Sequence, residues 1–282
     1  MKTTNAMQLK ARIKQKAKEA GISPQLLMQD YMLERLLERL SLSPWRDKMA
    51  IKGGMLIASL AGVDGRVTKD LDATAQGFQL TGETAERALR DIAAIELDDD
   101  VEFEFSRIEA IREKDAYPGV RAFLVARYPP MAVTLMVDIT TGDAVTPKAV
   151  AYEYPLMLEE RSISLLAYPL ATIFAEKLET VISRGTASTR LRDYYDLFVL
   201  WKTRRCEVDR LLLRDALLAT AAHRNSLGAL HRWRNAMAEV VEDDAMRTHW
   251  ASYAGSYRYA SGIRLEEAVG VVCEIMSSLE PF

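Results

Sequence analysis

The stretch Ile51–Asp72, IKGGMLIASLAGVDGRVTKDLD, constrains the fold more than any other part of this chain. Met49–Ile51 predicts a short strand, Gly53-Gly54 breaks it, Met55–Leu60 predicts a helix, and Val67–Ala73 predicts a second strand. A helix that starts directly after two glycines has unpaired backbone N–H groups at the positive end of its dipole. Glycine also lets an anion approach with no side chain in the way. On the second strand Asp70 and Asp72 are two residues apart, so both carboxylates point to one face. Two such carboxylates repel each other unless a cation lies between them. Hard oxygen ligands at this spacing suit Mg²⁺, which binds through one or two carboxylates plus substrate phosphates. An isolated Asp-X-Asp is also what two solvated carboxylates on a sheet edge look like. The Gly-Gly helix start about sixteen residues earlier favours the phosphate-and-metal reading.

The remaining pattern sets this unit in context. Ala6–Ala20 carries Leu9, Ile13 and Ala17 four apart and predicts an amphipathic helix stopped by Gly21. Ser23-Pro24 opens a second helix that runs to about Leu40. Gly82–Ile95 predicts a helix, Val101–Phe105 alternates as a strand, and Val120–Tyr128 and Met131–Thr140 predict two more strands around Pro129-Pro130. After Tyr154 the pattern reads as helical throughout: Pro169–Arg184, Ser188–Arg204, Val208–His223, Ser226–Val240 and Arg264–Leu279. The expectation is an α+β chain. Residues 1–155 would hold helices and a mixed α/β core, and 156–282 a helical domain that contributes to the active site.

Composition excludes several classes. The 282 residues are 49% hydrophobic and 27% charged, close to a globular average, which excludes wholesale disorder. The net charge of -3 excludes chain-wide attraction to nucleic acid, so any basic surface has to be local. One local excess lies in Met1–Lys48, with ten Lys+Arg against five Asp+Glu; it is either a solvated helical face or a phosphate-facing surface. Glu83–Asp115 carries the opposite excess, twelve acids against five bases. Cys206 and Cys273 are too isolated for a disulfide framework or a metal site and read as buried small apolar residues in a reducing compartment. The N-terminal segment lacks the apolar core of a signal peptide, and no apolar run approaches the roughly 20 residues that span a bilayer. A soluble cytoplasmic protein with no membrane partner is expected. Neither HExxH, GxSxG nor GxxxxGK[ST] occurs, and His223, His231 and His249 lack metal-ligand spacing.

Three further candidates bear on chemistry. Asp138 ends the apolar run Val133–Val137. It either caps the Thr140–Asp143 turn or serves as a third carboxylate beside Asp70 and Asp72. Lys177 lies in the apolar helix LATIFAEKLETVISRG between Glu176 and Glu179, placed to snorkel or to reach a phosphate. In STRLRDYYDLFVL, Arg190 and Asp193 share one helical face and Arg192 and Asp196 another, and intrahelical ion pairs fit that spacing well.

In order and spacing, KGG, TKDLD, VDITTGD, AEKLET and RLRDYYDL resemble the AbiEii toxin family of bacterial nucleotidyltransferases, from the N-terminal helices to about Leu200. The first half is similar to the wider DNA polymerase beta-like nucleotidyltransferase superfamily, and the Lys177 and RDYYDL segments make the likeness specific. Two positions depart from the pattern. Gly53-Gly54 stands where the superfamily commonly has Gly-Ser, so the phosphate contact of that hydroxyl falls to backbone N–H groups or to Thr68. Lys69 precedes Asp70 where an acid is common.

The resemblance implies a small mixed sheet followed by a helical bundle. It also implies transfer of a nucleoside monophosphate from an NTP, with pyrophosphate released, in a Mg²⁺-dependent reaction. Asp70 and Asp72 would hold Mg²⁺, with Asp138 completing a two-metal site. Gly53, Gly54 and Thr68 would meet the phosphates, and Lys177 would pair with the triphosphate. Asp196, or Asp193 in its place, would orient Lys177 or act as a base, with Lys52 and Arg190 in support. The acceptor implied is the 3′ end of tRNA, blocking translation. The partner implied is a cognate AbiEi-type antitoxin that need not bind the toxin. Arg204, Arg205, Arg210 and Arg214 are candidates to track an RNA backbone, and Trp201 and Trp233 are candidates to stack its bases, each weighed against a place in the core. The alternatives are a nucleotidyltransferase that modifies a protein or a small molecule, and a non-catalytic nucleotide-binding module.

Overall fold

The computed structural model describes residues 6–62, 66–111 and 119–281. Residues 1–5 of the basic N-terminal stretch and 112–118 of the acidic stretch lie outside the described residues. Two compact units divide the chain: 1–143 with 149–167, and 144–148 with 168–282.

The first unit is a mixed sheet with four helices. Helix α1 (Ala6–Ala20) buries Leu9, Ile13 and Ala17, each large side chain contributing about 2 kcal/mol. Gly21, at φ +70°, ends it. Helix α2 (Pro24–Leu42) starts on a proline at its first turn and is buried on nearly every face. Its charges are therefore paired: Arg35 with Glu34 at 2.7 Å and with Glu159 at 2.9 Å, and Arg39 with Asp99 at 2.8 Å. Arg35 and Arg39 thus leave the basic surface expected of this stretch, whereas Lys10, Lys14 and Lys18 on α1 remain exposed.

Strands β1 (Met49–Lys52), β2 (Asp70–Ala75), β3 (Glu102–Ile111), β4 (Gly119–Tyr128), β5 (Met131–Thr140), β6 (Val150–Pro155) and β7 (Ser162–Ala167) form one sheet in the order β3-β4-β5-β2-β1-β7-β6. The β2–β5 and β1–β7 pairs are parallel and the others antiparallel. Helix α3 (Gly53–Ala61) leaves β1 directly, and α4 (Gly82–Ala93) starts from a Thr81–Thr84 capping box. Some features of this unit depart from expectation, strand β6 among them. Both glycines lie inside α3, which begins two residues before the predicted Met55. The chain also does not turn helical after Tyr154. SISLLA alternates buried and exposed over only six residues, too short a run to stand out beside the long apolar helix that follows.

The second unit is helical: α5 (Leu170–Arg184), α6 (Leu191–Arg204), α7 (Arg210–His223), the single turn α8 (Leu227–Leu230), α9 (Trp233–Glu242), α10 (Asp244–Ser256) and α11 (Leu265–Leu279). Residues 144–148 belong to it through Thr146, whose backbone N–H and C=O both bond the Thr172 hydroxyl. Helix α10, capped by Asp243, was not predicted, and the stretch read as one helix from Ser226 is α8 and α9. No helix among the described residues is long and apolar enough to cross a membrane.

Candidate active site

In the first unit the β1–α3 turn and the start of β2 meet through backbone as much as through side chains. Gly53 sits at φ +65°, and a Cβ there would overlap the Asp72 carboxylate, 2.7 Å from its Cγ. Gly54 is closed in the same way: a Cβ there would lie 2.6 Å from Thr68 Oγ1. Both glycines are required by close approach, one of them also by its backbone angle. The turn thus lays the first N–H groups of α3 beside Asp72 and Thr68. Thr68 Oγ1 donates to Asp70 Oδ1 at 2.7 Å, fixing that carboxylate, and Lys69 between them is exposed. Asp70 and Asp72 share a half-buried face of β2, with Leu71 and Ala73 buried behind them.

Two neighbouring carboxylates have settled partners. Asp138 lies opposite Asp72 across the parallel β2–β5 pair. Both its oxygens accept from Arg121, which lies opposite it on β4: Oδ1 from Nε at 2.8 Å and Oδ2 from Nη2 at 2.7 Å. It therefore does not cap the turn after β5. Asp143 lies at that turn, taking Lys52 Nζ at 2.5 Å, Thr74 Oγ1 at 2.7 Å and Thr140 Oγ1 at 2.8 Å on one oxygen. Burial would raise the Asp143 carboxyl, but Lys52 and the two hydroxyls outweigh it and hold the group below the ordinary carboxylate range. Lys52 immediately precedes Gly53, so this buried pair anchors the turn from behind.

No group of three or more His, Cys, Asp or Glu side chains gathers into a metal cage among the described residues. The donor set at the turn is two same-face carboxylates plus whatever oxygens a substrate brings. That is the kind of site Mg²⁺ accepts.

In the second unit a charged cluster forms between helices. Lys177 of α5 pairs with Asp193 and, at 2.8 Å, with Asp196, both on α6. Burial alone would lower the Lys177 ammonium, but the two carboxylates reverse that and hold it above its ordinary value, so it is a cation at neutral pH. Asp196 is fully buried. Arg190, 57% exposed at the start of α6, reaches only 4.0 Å from Asp193. The expected Arg190–Asp193 pair is thus present but long, and the close partner of both Asp193 and Asp196 is Lys177 on the neighbouring helix. Arg192 instead lies over the Tyr257 ring, and Glu176 and Glu179 pair with Arg224 at the end of α7.

The family model of the nucleotidyl transferase AbiEii toxin, type IV toxin–antitoxin system, matches residues 35–270. This chain belongs to the AbiEii toxin family. That family implies a nucleotide substrate and an antitoxin partner, and its nucleotidyltransferases generally use divalent metals. Among solved structures, the chain is similar to a Helicobacter pylori protein assigned as a nucleotidyltransferase: 15% identity, TM-score 0.53, covering 92% of this chain and 96% of that one. It is also similar to JHP933 from Helicobacter pylori, at 14% identity and TM-score 0.53, covering 91% and 92%. At such identity the likeness shows the nucleotidyltransferase fold alone. No curated protein matches this chain.

Against this AbiEii background, sequence reasoning missed several groups. Arg66 is 3% exposed, and its Nη1 would lie 3.4 Å from a Cβ on Gly54. Asp30 on α2 accepts the Thr68 backbone N–H; burial, opposed by that bond, raises its carboxyl to about 7. Arg121 and Asp143 complete the surroundings. None stands within a recognisable spacing of the Asp-X-Asp, and only tertiary packing reveals them. Trp201 and Trp233 take the core places weighed against stacking, Trp201 edge-on to Phe174 and Trp233 donating to Glu280. One expectation fails: Cys206 is exposed and Cys273 only partly buried.

Proposed function

We propose that this chain transfers a nucleoside monophosphate from an NTP to the 3′ end of tRNA, in a Mg²⁺-dependent reaction in the cytoplasm that blocks translation. The observation that carries the reading is the Gly53-Gly54 turn closed against Asp72 and Thr68, with Asp70 on the same face. The acceptor hydroxyl oxygen bonds to the α-phosphorus, the bond to pyrophosphate breaks, and the hydroxyl proton passes to a carboxylate of the site. Such a transfer depends on positioning and on charge neutralisation. The α3 N–H groups at Gly53 and Gly54 receive phosphate oxygens, and Thr68 holds Asp70 in place. Asp70 and Asp72 would hold Mg²⁺, which supplies charge neutralisation of the phosphates when bound. Asp138 stands by as a third carboxylate, held by Arg121.

The Lys177 ammonium serves the same reaction as a cation for the triphosphate, with Asp193 and Asp196 setting its position and protonation. Lys52 and Arg190 support these groups, Lys52 by anchoring the turn through Asp143. Exposed Arg205 and Arg210 are suited to an RNA backbone. Under this reading the AbiEi-type antitoxin need not touch the toxin.

The test is incubation of purified protein with Mg²⁺, total tRNA and each α-³²P-labelled NTP in turn, with Asp70→Ala alongside. Label on a tRNA-sized band, absent in the variant, is expected. Label on protein, or in no lane, contradicts the tRNA acceptor.

A further inference from the structure

The second unit carries a group of planar side chains that the reaction above does not use. Residues 253–259 read YAGSYRY, three tyrosines and an arginine at the junction of α10 with the short turn Arg258–Ala260. The rings do not scatter into the core; they form a ladder. Tyr195 of α6 is buried, and its ring centroid lies 4.7 Å from that of Tyr259. Tyr259 stacks on Tyr257 at 5.2 Å with an interplanar angle of 27°, and the Arg192 guanidinium lies 5.5 Å from the Tyr257 centroid. Tyr253 flanks the ladder, 5.1 Å from Tyr257, with its hydroxyl 3.3 Å from that of Tyr259. Burial falls along the series, from Tyr195 at 2% exposed to the half-buried Tyr259, Tyr257 and Arg192.

We propose that the Tyr195–Tyr259–Tyr257–Arg192 ladder is a stacking platform for an unpaired nucleobase. The series ends in one near-parallel pair, Tyr259 and Tyr257 at 27°, after a 50° tilt between Tyr195 and Tyr259, and Tyr and Arg planes are those on which splayed-out bases rest. Charge for the adjoining phosphates is present: Arg190 is 57% exposed and Arg258 is exposed. The platform adjoins the candidate chemistry within the same unit, because Arg192 and Tyr195 interleave with Asp193 and Asp196 along α6. Such a base belongs either to the acceptor RNA end or to the NTP. The inference rests on the nucleotidyl-transfer reading for which of these it serves, and not for the stacking itself.

The test uses the unmodified full chain; neither arm holds donor and acceptor together, so nothing turns over. One arm titrates an RNA hairpin with a single-stranded 3′ tail ending in 2-aminopurine; the other titrates 2-aminopurine riboside triphosphate with Mg²⁺. Stacking quenches 2-aminopurine. Saturable quenching is expected, weakened about tenfold by Tyr257→Ser and kept by Tyr257→Trp. Arg192→Ala provides a second variant should Tyr257→Ser melt early by circular dichroism. Tyr257-dependent quenching in the RNA arm assigns the base to the acceptor, and in the triphosphate arm to the donor. Quenching unaffected by Tyr257→Ser and by Arg192→Ala in both arms overturns the platform. The two readings fail separately. RNA quenching with no label transfer by the unmodified protein sinks the transferase and spares the platform. Label transfer with the KM for acceptor and the KM for NTP both unmoved by Tyr257→Ser does the reverse.

Discussion

The two candidate centres are built by different physics. Around Gly53 the determinants are backbone: a left-handed turn, two missing Cβ atoms and a strand register that sets Lys52, Asp72 and Asp138 side by side. Around Lys177 the determinants are side-chain charges, one ammonium shared by two carboxylates between helices. A backbone-built centre tolerates no added atom. A charge-built centre tolerates no removed partner. Each therefore has its own characteristic way of failing.

The sharpest break should come from Gly53→Ala. Its methyl group would collide with the Asp72 carboxylate at a backbone angle that alanine resists, displacing the turn by about an ångström. We expect about a hundredfold or greater loss of nucleotidyl transfer with the helical unit still folded, read by label transfer and far-UV circular dichroism. Lys177→Met should act in the opposite manner, on stability first. It takes the ammonium away from Asp193 and the fully buried Asp196, at a cost of about 3–5 kcal/mol in urea unfolding. If Lys177→Met abolished transfer while leaving stability intact, the contrast would collapse.

Asp143→Asn tests whether the first centre also leans on charge. It takes the carboxylate charge away from the buried Lys52 ammonium, which keeps the Thr140 hydroxyl, and should cost about 3 kcal/mol. Because the folded Asp143 carboxyl is held below its unfolded value, its contribution is present above about pH 4 and lost as pH falls further. That acid-limb dependence should vanish in the variant.

Asp30 has the opposite sign. Its folded pKa is raised to about 7, so its contribution is present below about pH 4 and lost as pH rises through 7. Asp30→Asn should flatten that limb and make the protein more stable than its parent at pH 8, while still accepting the Thr68 N–H. The smallest effect belongs to Arg190→Ala, which loses only an exposed contact at 4.0 Å and should shift stability by less than about 0.5 kcal/mol.

The same contrast explains what the sequence made legible. Gly53, Gly54, Thr68, Asp70 and Asp72 could be placed together because glycine permissiveness and two-residue strand alternation are local rules. Asp193 and Asp196 were visible as charges, but helical spacing favoured partners on their own helix. The family resemblance pointed Asp196 or Asp193 at Lys177, and the packing of α5 against α6 supplies the contact. Strand β7 escaped notice because its six alternating residues abut a long apolar helix, and Arg121 because its pairing depends on the β4–β5 register. The Tyr253–Tyr259 cluster carried no recognised spacing, whereas the two tryptophans that suggested stacking went into the core, as large apolar side chains usually do.

If the Gly-Gly turn and the Asp70–Asp72 pair form the phosphate-and-metal end of the site, calorimetric titration of NTP with and without Mg²⁺ will show Mg²⁺-dependent binding that is lost in both Gly53→Ala and Asp72→Asn. Unchanged binding in those two variants would remove the turn and the carboxylate pair from the site.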